Sequence, residues 1–220
     1  MCDCWPIANE RHVSRCRNRR NNHVLAEGKR LDRKGQKGEV NEIRGPSLEI
    51  RAVTHDDLSS VLDVYWQCED FLALGPEPVA SMEMVLRDIE TSQRDGGLFC
   101  GIFATDGSIV GVVDTVPSGF EGDPHVAFLS LLMIAAPHRN RGIGQAVVTL
   151  IKDEIERNPQ VTTILSAVQV NNPPAVRFWQ RNGYCIVGGP ALQPDGTTTF
   201  RLRKKCIRRR NRRLDPAYMK

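Results

Sequence analysis

Between Leu48 and Arg203 the chain switches repeatedly between two hydrophobic periods. Leu48–Val53 (LEIRAV) alternates apolar and polar residues, the period of a half-buried strand. Thr54 is placed to cap a helix whose first turn carries Asp56 and Asp57, and Leu58, Val61, Leu62, Tyr65 and Trp66 then recur at helical spacing. The polar run Gln67–Asp70 and the turn at Gly75-Pro76 end that helix, and Met82, Val85, Leu86 and Ile89 predict another over about 79–92. Two apolar runs, 97–104 and 108–116, are joined by Asp106-Gly107 and predict a hairpin. A loop holding Pro117, Gly119, Gly122 and Pro124 leads to a further apolar run, 125–135, which completes an antiparallel meander. A tight glycine turn and an amphipathic helix to about Arg157 come next. Val161–Val170 reads as a buried strand, and 175–182 as a helix stopped by Gly183. Residues 184–189 and 197–203 read as short strands around the Pro194–Gly196 turn. The predicted order is β-α-α-β-β-β-α-β-α-β-β, an α/β fold with a mixed, mostly antiparallel sheet flanked by helices.

Charge divides the chain differently. Lys+Arg against Asp+Glu runs 11 to 6 over residues 1–47, 9 to 19 over 48–200, and 10 to 1 over 201–220. The overall charge of +4 therefore conceals a central region at 9 − 19 = −10 between two basic flanks. Residues 1–47 lack any apolar period and predict a disordered basic extension, 48–203 the folded domain, and 204–220 a solvated basic tail. The basic flanks leave nucleic acid open as a partner, although no aromatic residues are interleaved with the charges as base stacking would favour. No apolar run reaches the roughly 18 residues of a membrane span, and residues 1–16 contain no leader-like apolar stretch. A cytoplasmic protein with no membrane partner is expected. The seven cysteines have no regular spacing, which argues against a disulfide framework. Cys2, Cys4, His12 and Cys16 fit no zinc spacing well, so no metal is expected.

The stretch with the most chemistry is Arg139–Gly144, between the strand run 125–135 and the helix after it. A nucleoside-triphosphate loop needs Lys-Ser/Thr after its last glycine, and here Gln145-Ala146 stand in that place. A dinucleotide loop needs a third glycine where Val147 stands. What remains is Arg-x-x-Gly-x-Gly, whose amides and helix dipole suit a pyrophosphate, with Gly142 and Gly144 permitting close approach. A turn that needs glycine only for packing is the competing reading.

A second segment, Asn172, Ala175, Phe178-Trp179 and Gly183-Tyr184, comes some 30 residues later. Together the two resemble the GNAT superfamily of acetyl-CoA-dependent N-acetyltransferases. Arg139, Gly142 and Gly144 match that family's Gln/Arg-x-x-Gly-x-Gly/Ala motif. Asn172, Ala175, Gly183 and Tyr184 match its Asn-x-x-Ala-x-x-x-Tyr-x-x-x-Gly-Phe segment, with Tyr for Phe at the end. The element order from Leu48 to about Arg203 also agrees. The resemblance implies acetyl-CoA as co-substrate, lying where the strand ending near Ile134 splays from Val161–Val170. It implies a pantetheine arm on the backbone of Met133, Ile134 and Ala135, and a pyrophosphate on Arg139, Asn140, Arg141, Gly142, Ile143 and Gly144. Asn172 would touch the cofactor. The implied activity is transfer of an acetyl group to a primary amine of a small molecule or peptide, by direct attack on the thioester.

Such a reaction asks for an oxyanion donor, a base for the amine and a proton for the departing thiolate. A backbone N–H near Met133 or Ile134 serves the first. The family's usual general-acid tyrosine is Trp179 here, whose indole donates a hydrogen bond without releasing a proton. Tyr184 is the alternative acid. The glutamate that some members carry five residues before the asparagine is Ala167, so the base is sought among Asp114, set in a strand of Val and Ile, and Glu69 or Asp70 in the helical break. His125 and His138 read as a surface residue and a phosphate neighbour. The departures at Ala167 and Trp179 keep open a catalytically weak acyl-CoA-binding domain, and the basic tails a nucleic-acid-associated protein. The acidic central region suits a cationic acceptor.

Overall fold

The structure is a computed structural model and describes residues 43–45 and 48–206. Along the chain it forms β1 (Ile43–Gly45), β2 (Leu48–Ala52), α1 (Leu58–Trp66), α2 (Glu69–Leu72), α3 (Met82–Arg94), β3 (Leu98–Ala104) and β4 (Ile109–Val116). Then come β5 (Val126–Ile134), α4 (Ile143–Ile155), β6 (Thr163–Gln169), α5 (Pro173–Arg181), β7 (Cys185–Leu192) and β8 (Thr198–Lys205). Among the described residues the sheet has eight strands in the order β1-β2-β3-β4-β5-β6-β8-β7. Among the described residues only β5 and β6 pair in parallel, joined by α4; the other neighbours are antiparallel.

The mixed, mostly antiparallel sheet agrees with the sequence. Its edges do not. β1 lies upstream of the expected start at Leu48, and β8 runs on to Lys205, past the expected end. Hydrogen bonding explains both: the outer edge of β2 and the flank of β6 offer ladder groups that a few more residues satisfy. The polar run after Trp66 ends α1 as expected, but Glu69–Leu72 adds a short helix before the turn. Most of the basic flanks, and the whole Cys2–Cys16 group, lie outside the described residues. Among the described residues no cluster of His, Cys, Asp and Glu could hold a metal ion, and no helix is long and apolar enough to cross a membrane.

Two apolar layers sandwich the sheet. On one face Val61, Val64 and Tyr65 of α1 and Met84 and Val85 of α3 pack on Phe99, Val112 and Met133. On the other, Val147, Val148, Ile151 and Ile155 of α4 and Trp179 of α5 pack on Ile102, Val113, Leu129, Ile164 and Leu202. Each buried aliphatic side chain contributes about 1.5–3 kcal/mol, so these stripes, rather than helix propensity, hold the helices to the sheet.

One irregularity sets the geometry of the sheet's centre. The β4–β5 register slips between Asp114 and Thr115: Asp114 faces Leu131, while Thr115 faces Leu129. Ser130 is thus the extra residue of a β-bulge, and a bulge bends and twists its strand. The β5–β6 ladder stops at that point, running only from Val126↔Thr163 to Leu129↔Ser166. Beyond it, Leu131–Ile134 stay with β4, and Ala167–Gln169 stay with β8. A V-shaped gap opens between the two parallel strands toward their C-terminal ends, the place where α/β sheets receive ligands.

Candidate active site

The turn from β5 to α4 sits at the mouth of the gap. Asn140 and Gly142 both take left-handed backbone, with φ of 59° and 80°, which glycine adopts without penalty and asparagine more readily than most residues. Gly142 is the N-cap of α4 and offers no side-chain cap, and the first turn carries no acidic residue. The amides that open α4 therefore lack the usual internal acceptor. A Cβ added at Gly142 would meet nothing within 4 Å, so the space before the helix is open. Gly144 differs: its Cβ would lie 3.3 Å from the Phe178 ring, which makes it the close-packing glycine between α4 and α5.

Strand geometry selects among the backbone groups expected on the gap. The Met133 carbonyl turns toward β4, where a Cβ on Gly111 would lie 2.5 Å from it. The Ala135 N–H donates to Val110 O at 3.0 Å, and Ala135 O accepts from His138 N at 2.8 Å. The N–H and C=O of a peptide point in opposite directions, so it is the Ile134 N–H and C=O that face the gap. Of the expected trio, Met133 and Ala135 are spent on β4 and the turn, and Ile134 alone turns its backbone from β4, its carbonyl accepting from Arg139 and Cys68.

Arg139 does not reach forward to the open space. Its Nε donates to Ile134 O at 2.8 Å, Nη1 and Nη2 donate to Asp70 at 2.5 and 2.9 Å, and Nη2 donates to Gln67 O at 3.4 Å. Cys68 Sγ donates to the same Ile134 carbonyl at 3.4 Å. The bidentate guanidinium–carboxylate fork is the strong form of this contact. It ties the end of α1 and the start of α2 to the end of β5. The cations of the loop therefore divide, with the Arg139 guanidinium occupied and Arg141 exposed, so that at Arg139 it is the backbone amide that the pyrophosphate expectation concerns. The fork also bears on Asp70 as a base, since its partner Arg139 holds that carboxyl below the usual range. Glu69 is likewise engaged, accepting from Ala80 N at 3.0 Å.

Other expectations meet packing. Asn172 caps α5, its Oδ1 accepting from Ala175 N at 3.1 Å. Trp179 is 7% exposed and stands edge-on between Phe178 and Tyr184, with ring centroids 5.3 and 4.9 Å apart. Tyr184 is 2% exposed, and burial pushes its hydroxyl well above the ordinary tyrosine range. Both candidate acids belong to the core under α4. His125 is exposed, with Nδ1 at 2.7 Å from Gln160 O, at the other end of β5 from the gap.

Asp114 has a different setting. It faces Leu131 and Phe99 across the ladders, on the side covered by α1 and α3. Ser92 Oγ of α3 donates to Asp114 Oδ1 at 2.5 Å, and Ser130 Oγ donates to Oδ2 at 2.5 Å. Nearby, Tyr65 Oη donates to Asp88 at 2.7 Å, and burial raises the Asp88 carboxyl. Ser92 is buried, whereas Ser130 is exposed at the apex of the gap. Neither serine stands out in the sequence, although a lone hydroxyl inside the apolar run FLSLLMI is a signal that points to Ser130.

Comparison with known proteins agrees with this architecture. The family model for GNAT-family acetyltransferases matches residues 58–184, more than half of the chain. N-alpha-acetyltransferase 60 of Xenopus tropicalis is 25% identical over 153 residues, covering 61% of this chain and 58% of that protein. The chain thus spans less than two thirds of that relative's length. An acetyltransferase from Thermus thermophilus superposes with a TM-score of 0.59 at 23% identity, covering 75% of this chain and 99% of its own. Spermidine N-acetyltransferase from Vibrio cholerae, solved with CoA and spermine, superposes with a TM-score of 0.55 at 15% identity, covering 72% and 95%. With the family match spanning both the glycine turn and the Asn172–Tyr184 segment, the chain belongs to the GNAT acetyltransferase family.

Proposed function

We propose that this protein transfers an acetyl group from acetyl-CoA to a primary amine. The observation that carries the reading is the gap between β5 and β6, with an uncapped α4 N-terminus at its mouth and the Ile134 backbone along its edge. The residues fit the group. A dianionic pyrophosphate suits the amides of Gly142–Gly144 and the open space before them, with Arg141 as the exposed cation. An extended, amide-bearing arm suits the edge of β5 beyond the bulge. Acetyl-CoA supplies the acetyl group as a thioester. The Ile134 N–H is the donor for the negative charge that develops on the thioester oxygen, in preference to Met133. Asp114 is the better base, because Asp70 is neutralised by Arg139. With Trp179 and Tyr184 buried, the departing sulfur takes its proton from solvent in the gap. The related Vibrio protein binds spermine and the Xenopus relative is an N-alpha-acetyltransferase by name, which supports an amine acceptor.

Full-length protein is expected to show a rise in melting temperature with acetyl-CoA, and thiol release that depends on an added primary amine. Melting shift without thiol release for any amine would favour the acyl-CoA-binding reading.

Trp179 offers a separate check on the missing acid. Trp179→Phe keeps an apolar ring in the core and removes the indole N–H. It is expected to cost about 1–2 kcal/mol of stability and to leave kcat within about threefold. Denaturant unfolding beside thiol-release kinetics measures both, and a much larger kcat loss would give the indole a chemical role.

A further inference from the structure

We propose that Ser130 is a catalytic residue that relays the acceptor's proton to Asp114, with Ser92 as the positioning residue that holds the carboxylate; this rests on the acetyl-transfer reading above. Asp114 sits one strand back from the gap, among residues of the α1/α3 layer, and does not border β6. Ser130 bridges that distance. The bulge makes it the extra residue at the point where β5 leaves β6, and it is exposed there. Its Oγ has a single proton, directed at Asp114 Oδ2 at 2.5 Å, with Asp114 O at 3.0 Å as a second acceptor. The lone pairs of that oxygen are left to accept an N–H from the gap side. Ser92, buried, fixes the other carboxylate oxygen at 2.5 Å. The other ionisable groups that Asp114 influences are Tyr65 on α1, Asp88 on α3 and Cys100 on β3. Tyr65 and Asp88 are hydrogen-bonded to each other, and burial pushes the Cys100 thiol up to about 12.

The step balances. The neutral acceptor nitrogen forms a bond to the acetyl carbon, and the carbon–sulfur bond breaks with its electron pair leaving on sulfur. The proton that the nitrogen must lose passes to Ser130 Oγ while the serine's own proton passes to the Asp114 carboxylate. The carboxylic acid then returns that proton to solvent.

The test uses the full chain, acetyl-CoA and a panel of primary amines, with thiol release followed from about pH 6 to about pH 9. Ser130→Ala is expected to lower kcat about 30-fold and Asp114→Asn about 100-fold, with the double variant no slower than Asp114→Asn because both act in one path. Ser130→Thr, which keeps the hydroxyl, is expected to stay within about threefold of the unsubstituted protein, and Ser92→Ala to lose less than about fivefold. In Ser130→Ala the rate is expected to rise with pH in place of a plateau, as hydroxide replaces the relay. The melting shift given by acetyl-CoA is expected to be unchanged in every variant. Unchanged kcat and pH profile in Ser130→Ala would overturn the relay alone, as would a kcat loss matched by loss of the acetyl-CoA shift. No thiol release from the unsubstituted protein would overturn the transfer reading and the relay with it.

Discussion

Gly142→Glu is expected to abolish measurable acetyl-CoA binding while leaving the fold largely intact. Three features combine. The φ of 80° at this position strains any L side chain by about 1–2 kcal/mol. An added Cβ nevertheless meets nothing within 4 Å, so the side chain fits the fold and projects into the space proposed for the pyrophosphate. A carboxylate at a helix N-terminus recovers about 0.3–1 kcal/mol of the strain through the dipole, which makes it an internal competitor for the ligand. The expected outcome is a melting temperature lowered by only a few degrees and an acetyl-CoA Kd raised more than about 100-fold, near 3 kcal/mol. Gly142→Ala separates the causes: it carries the strain without the charge and is expected to weaken binding about tenfold or less. Calorimetry on both variants reads the difference. Near-normal affinity in Gly142→Glu would remove the pyrophosphate from this turn.

Gly111→Val is expected to give the largest loss of stability of any change at the site, about 3 kcal/mol. Gly111 pairs directly with Ile134, and its missing Cβ leaves room that three atoms already claim: Met133 O at 2.5 Å, Ile134 Cδ1 at 3.0 Å and Ile102 Cδ1 at 3.1 Å. The nearest of these is backbone and has no rotamer by which to withdraw. Valine adds two further methyl groups between β4 and β5, so β5 must shift toward the gap and take the Ile134 N–H with it. A melting temperature lowered by roughly 6–12 °C is expected from the usual entropy of unfolding for a domain of this size, together with weaker acetyl-CoA binding. Gly188→Ala is the control: its Cβ would meet Arg201 Cβ at an ordinary 3.6 Å, and the expected change is below about 1 kcal/mol.

The site is unevenly legible in the sequence. Gly142 is readable because a left-handed N-cap needs glycine whatever surrounds it, and the helix after it shows its own period. The Arg139 side chain is not readable, for the opposite reason. Its partner Asp70 lies 69 residues earlier, and no local pattern connects the two. Trp179 and Tyr184 look chemical by position, and only the fold shows that both are buried in the core. Ser130 escapes notice because a bulge is a property of a strand pair: only the register against β4 shows that one residue is in excess.

What the sequence by itself determined is the succession of elements and the glycine turn, since period, turn chemistry and left-handed backbone are local properties of a few neighbouring residues. It also determined that the central region is acidic and its flanks basic. The tertiary structure alone decided where β5 parts from β6, which of three backbone groups faces the opening, that Arg139 is held by Asp70, and that Asp114 meets two serines. Each of these depends on groups far apart in the chain being brought within hydrogen-bond distance, and it is the packing of α1, α3 and β4 against β5 that brings them there.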